Sequence, residues 1–128
     1  MAHILVVDDK ISLITLLTVA LERQGHTVLS ASNGMHALEV LPDDGVHLVV
    51  TDINMPEMDG FELISVLLEK FPGQKILAIS GAGGVGLQGD LQAARKIGAS
   101  HCMEKPFDLD DFYANVDALL SEREEDLV

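Results

Sequence analysis

The sequence is short of positive charge, of cysteine and of long apolar runs, and each shortage excludes a class of function. Eight Lys and Arg face 21 Asp and Glu, a formal net charge of −13, which opposes binding to nucleic acid unless the bases cluster. They do not: Lys10, Arg23, Lys70, Lys75, Arg95, Lys96, Lys105 and Arg123 are scattered. Cys102 is the only cysteine, so no disulfide forms within the chain, and the five histidines show no metal-ligand spacing. A reducing interior fits. No stretch approaches the length needed to span a membrane, and the opening MAHILVVDD has no basic segment leading into a long apolar run. The expectation is a cytoplasmic protein that engages neither membrane nor nucleic acid.

What is present suffices for one core. At 128 residues and 48% hydrophobic content the chain is too short for two, and a single domain over residues 1–128 is expected. Residues 1–107 hold 13 acids and 7 bases, whereas 108–128 hold 8 acids and Arg123 alone. The chain therefore ends, from about residue 108, in an acidic helix and tail, read as a solvated face rather than a docking site.

Short β-branched runs alternate with stretches of helical period, the order of βα repeats around a parallel sheet. Strands are predicted at His3 to Val7, Thr27 to Ala31, His47 to Thr51, Lys75 to Ile79 and His101 to Met103. Helical core faces are read from Ile14, Leu17 and Leu21, from Leu63, Val66 and Leu67, and from Leu109, Phe112, Tyr113, Val116 and Leu120. Asp59 and Asp108 each stand three residues before another acid and can cap a helix start. Gly25, Gly45, Gly73 and Gly98 punctuate the other connections. The fold class that follows is α/β: a flavodoxin-like, doubly wound, five-stranded parallel sheet of order 2-1-3-4-5 with five helices. Its ligands sit outside the carboxyl ends of the strands.

At those ends the sequence places Asp8 and Asp9 (strand 1), Asp52 (strand 3), Ser80 (strand 4) and Lys105 (strand 5). These strands are neighbours in the expected order, so the polar groups converge on one crevice. Three carboxylates that close repel one another unless a cation relieves them. A hard divalent ion such as Mg²⁺ suits oxygen ligands and leaves sites for water and phosphate. Lys105 is a point charge fitted to a phosphate oxygen, Ser80 supplies a hydroxyl, and Asp52, between the acidic pair and Ser80, is placed to be a nucleophile toward phosphorus. Singly, a strand-end Asp can be a helix cap, Ser80 a turn residue and Lys105 a solvated charge. Together those readings do not explain five groups facing one pocket.

The segments Val6-Val7-Asp8-Asp9, Thr51 through Gly60 (TDINMPEMDG), Ile79-Ser80-Gly81 and Lys105-Pro106-Phe107 resemble the signature of the response-regulator receiver family, over essentially the whole chain. The resemblance implies that Asp52 is the phosphoacceptor and that Asp8, Asp9, Asp52 and the backbone carbonyl of Asn54 surround Mg²⁺. It makes Ser80 the switch hydroxyl and Lys105 the ligand of a phosphoryl oxygen, with Pro106 following a cis bond. The phosphodonor partner is then a histidine kinase or histidine phosphotransfer protein. Output passes to another protein through the face of the fourth helix, the fifth strand and the fifth helix. Two positions depart from the commonest pattern: Lys10 follows the acidic pair, and Cys102 stands where many receivers carry an aromatic switch residue.

Three other readings compete. Residues 81–86 match the dinucleotide fingerprint literally, but one strand follows and no second nucleotide-binding half exists. A haloacid-dehalogenase-type phosphatase needs a second Asp two residues after the nucleophile, where Asp52 is followed by Asn54 and Asp8 by Lys10. A phosphorylation-independent module of the same fold does not require the intact set Asp8, Asp9, Asp52, Ser80 and Lys105. The activity expected is therefore slow chemistry on itself and not turnover of a substrate. The glycine-rich segment 81–89 is expected to act as a lid over the site.

Overall fold

In the computed structural model, which describes residues 2–53, 55, 58, 60–81 and 95–126 and their side chains through Ser121, alternate residues of the central strands point into two opposite layers. The strands are β1 (His3–Val7), β2 (Thr27–Ala31), β3 (Leu48–Asp52), β4 (Lys75–Ser80) and β5 (His101–Glu104). They form one sheet of order β2-β1-β3-β4-β5 in which every pairing is parallel. The helices are α1 (Ile11–Arg23), α2 (Gly34–Val40), α3 (Gly60–Lys70), α4, whose described residues are 95–97, and α5 (Leu109–Asp126).

Ile4 and Val6, Leu48 and Val50, and Leu77 and Ile79 face Leu17 and Leu21 of α1 and Phe112, Val116 and Leu119 of α5. Their neighbours Leu5 and Val7, Val49, and Ile76 and Ala78 face Ala37 of α2 and Leu63, Ile64 and Leu67 of α3. Because both faces of β1, β3 and β4 are covered, these strands read as continuous apolar runs rather than alternating ones. Among the described residues no helix is long and apolar enough to cross a membrane.

The first two strands fall where the sequence predicts them, β3 is shifted by one residue at both ends, and β4 and β5 each run one residue further. β3 starts at Leu48 and runs through Asp52, β4 includes Ser80 and β5 includes Glu104, since Asp52 pairs with Ile79 and Ser80 with Glu104. The ladder uses backbone groups, so it continues past the point where the side chains turn polar. Leu120 is half-buried while Leu119, absent from the expected face, is fully buried. α2 is opened by Asn33, whose side chain accepts the His36 N–H at 2.8 Å.

Asp108 caps α5 as expected, its Oδ1 accepting the Asp111 N–H at 2.8 Å. Asp59 lies outside the described residues. Since Asp108 is exposed, Asp108→Ala removes the cap without opening a cavity. It should cost about 1 kcal/mol of unfolding free energy in urea titrations.

Candidate functional site

Three carboxylates meet at the carboxyl ends of β1 and β3. Asp8 follows β1 directly and its N–H continues the ladder to the Ala31 carbonyl at 3.2 Å. Asp52 is the last residue of β3, the central strand. One oxygen each from Asp8, Asp9 and Asp52 lies within 4.8 Å of the others. Asp8 and Asp52 are buried, at 2% and 4% exposure, whereas Asp9 is exposed at the rim. The Asp8 carboxylate is oriented by the Lys10 N–H, donated to its Oδ1 at 2.8 Å.

Lys105 reaches into this cluster from the far edge of the sheet. Its N–H continues the β4–β5 ladder by donating to the Ser80 carbonyl at 2.8 Å, and the Lys105–Pro106 bond that follows is cis. The ammonium donates to Asp8 Oδ2 at 3.0 Å and to Asp52 Oδ2 at 3.2 Å. Burial opposes the charge on Lys105, but its hydrogen bond to Asp8 and the charges of Asp52 and Asp8 outweigh it and raise its pKa above the usual 10.5. A lysine held above its unfolded value contributes stability fully below about 10.5, lost only as the pH rises through the folded value. At neutral pH the ammonium is fully charged.

Ser80 is fully buried at the end of β4, and its hydroxyl has no hydrogen-bond partner among the described residues. An unsatisfied buried hydroxyl is costly, and a serine kept in that condition beside an acidic cluster fits a site completed by a further group. The donor set agrees: oxygen ligands only, three carboxylates against the Lys105 ammonium, which suits a hard cation such as Mg²⁺.

The structure thus brings together Asp8, Asp9, Asp52 and Lys105, with Ser80 at the end of the strand beside β3. Asn54 and residues 82–89 of the expected lid lie outside the described residues, as does the dinucleotide-like motif beyond Gly81. Cys102 is half-buried on β5 and packs on the α3 side of the sheet. Burial pushes its thiol pKa up, the Arg95 side chain acting in the opposite direction. It is a protonated thiol at neutral pH.

Two contributors were not foreseen. Gly60, the first residue of α3, lies so near β3 that a Cβ added there would sit 2.5 Å from the Asp52 carbonyl oxygen and 2.6 Å from the Ile53 Cα. Its N–H donates to the Ile53 carbonyl at 2.8 Å. A glycine opening a helix soon after the strand-end acid is the available signal. Thr51, fully buried, donates its hydroxyl to the Asp52 carbonyl at 2.9 Å, and nothing in the sequence separates it from an ordinary strand threonine.

Residues 4–117 match the family model described as the response regulator receiver domain. The chain is 37% identical over 120 residues to the response regulator receiver protein CpdR of Brucella abortus, covering 94% of this chain and 98% of that protein. It is 34% identical over 121 residues to the transcriptional regulatory protein GlrR of Escherichia coli, covering 94% of this chain but 27% of that protein's length. Among solved structures, a response regulator receiver domain protein from Clostridium thermocellum superimposes with a TM-score of 0.89 at 25% identity over the whole of both chains.

Proposed function

The chain belongs to the response-regulator receiver family, the phosphoacceptor modules of two-component signalling, and from that premise we propose that Asp52 is its acceptor. The observation that carries this reading is the Lys105 ammonium shared between buried Asp8 and buried Asp52 beside the unpartnered hydroxyl of Ser80. An Asp52 oxygen attacks phosphorus, the bond to the donor's leaving atom breaks, and an acyl phosphate remains on the side chain. Lys105 holds one phosphoryl oxygen and neutralises charge. The Ser80 hydroxyl donates to another and so gains the partner it lacks. When bound, Mg²⁺ would be held by Asp8, Asp9 and Asp52, with the Asn54 carbonyl that the resemblance adds, and would supply the remaining positive charge.

The phosphoryl group comes from a histidine kinase or a histidine phosphotransfer protein, and it is lost slowly by hydrolysis on the same aspartate. The signal leaves by the face of α4, β5 and α5. Cys102 offers no aromatic ring to swing there, so movement of Ser80 carries it. We place the protein in the cytoplasm as a single domain. Family membership favours neither the phosphatase nor the phosphorylation-independent module.

The metal arm of this reading has its own test. In calorimetric titrations with Mg²⁺, Asp9→Ala should bind about tenfold more weakly or worse, while Lys105→Ala should keep its affinity, since it removes a competing cation and no ligand. Chelation should bring phosphorylation of the parent to background. Equal affinity in Asp9→Ala and the parent would remove Asp9 from the ligand set.

A further inference from the structure

At the opposite end of β1 from Asp8, two imidazoles take hold of the start of the strand. The Ala2 N–H donates to Nδ1 of His26 at 3.1 Å, from the β2 side. The His3 N–H donates to Nδ1 of His47 at 2.8 Å, from the β3 side. Both histidines immediately precede or nearly precede their strands, and the backbone bonds Thr27 N–H to Ala2 carbonyl and His47 N–H to His3 carbonyl, each 2.9 Å, lie alongside. We propose that this edge of the sheet is a proton-operated clasp: neutral His26 and His47 hold the Ala2 and His3 amides from either side and release them on protonation.

An imidazole Nδ1 accepts an amide hydrogen only while it carries no proton, and an imidazolium has N–H groups on both nitrogens. Protonation therefore turns each clasp bond into two donors facing one another. The groups around each ring set the balance. The His26 pKa lies below the usual 6.5 because of burial first and the charge of the amino terminus second, with Asp117 of α5 pulling the other way. The ring of His47 stacks on His3 of β1, centroids 5.7 Å apart and planes 29° apart. Both rings border a cavity of about 380 Å³ that Asp44 also lines.

A histidine whose folded pKa is lowered contributes stability that is complete above the unfolded value of about 6.5. That contribution is lost as the pH falls from there toward the folded value. Acid therefore loosens the amino end of the strand whose carboxyl end carries Asp8 and Asp9. The Ser32 N–H also donates to a histidine Nδ1, that of His36, at 3.3 Å, but it lies before α2 and serves as a comparator away from β1.

The test is a nuclear magnetic resonance titration from pH 8 to 5 without Mg²⁺, following imidazole nitrogens and amide protection. Neutral His26 and His47 should be the Nε2–H tautomers. Protection of the Ala2 and His3 amides, corrected for intrinsic exchange, should fall as the rings titrate, by up to about tenfold per pH unit for each linked proton. His26→Gln with His47→Gln, whose side-chain carbonyls accept a hydrogen bond but do not titrate, should lose this step. If the double variant fails to fold, each single substitution should remove the step at its own amide. A proton on Nδ1 of either neutral ring, protection that ignores the titration, or an unchanged step in the variants overturns the proposal.

Discussion

Incubated with a small phosphodonor and Mg²⁺, the protein should gain one phosphoryl group by intact mass, and Asp52→Asn should gain none. The expected loss is complete because the substitution removes the attacking oxygen and leaves the shape of the site unchanged. Asp8 is the obvious substitute acceptor, being equally buried and equally close to Lys105. It stands on β1, however, with β3 between it and Ser80 on β4. Only Asp52 has the acidic pair on one side and Ser80 on the other. The variant should stay folded, since Lys105 keeps its bond to Asp8 and one source of like-charge repulsion is gone. Asp8→Asn is the paired control: it should still label, at higher Mg²⁺. Full labelling of Asp52→Asn would falsify the acceptor assignment.

Gly60→Ala should be the most damaging methyl group that can be added near the site. The new carbon would lie 2.5 Å from the Asp52 carbonyl oxygen and 2.6 Å from the Ile53 Cα, and both are backbone atoms with no rotamer to yield. Either α3 lifts off the sheet or the end of β3 is pushed aside. Overpacking of this kind costs about 1–3 kcal/mol, occasionally more, and here it also displaces Asp52, the proposed acceptor. Urea unfolding should show the loss of stability and mass spectrometry a slower labelling. Gly73→Ala is the comparison, because nothing lies within 4 Å of its added carbon, and it should be close to neutral. If the two variants unfold alike, the close approach of α3 to β3 does not have the role assigned to it.

The parts of the fold legible in the sequence are those where one physical signal dominates. β1 and β2 fall where the sequence predicts them because β1 runs into Asp8 and Asp9 and β2 lies between Gly25 and Ser32-Asn33. β3 and β4 were ended early because the apolar run stops before Asp52 and Ser80 while the backbone ladder does not. α2 carried no periodic signal of its own, being seven residues long and packed through Ala37. The site was legible as residue types at strand ends. That Lys105 would bridge Asp8 and Asp52 was not, since spacing along the chain says which ends meet but not which atoms touch. Gly60 acts by approaching the backbone at the end of β3 and Thr51 by donating its hydroxyl to the Asp52 carbonyl, and contacts made to backbone leave little trace in residue type.

The bond from Lys105 to Asp8 joins residues 97 positions apart, and β5, which delivers Lys105, is an edge strand. During synthesis the earlier strands can pair while the last is still unmade, yet a chain halted before residue 105 holds its acids without their ammonium. Competence to receive a signal therefore waits for residues made after four of the five strands. A product cut before β5 keeps four of the five strands and all three acids but not the ammonium between them, so the site depends on the strand made last.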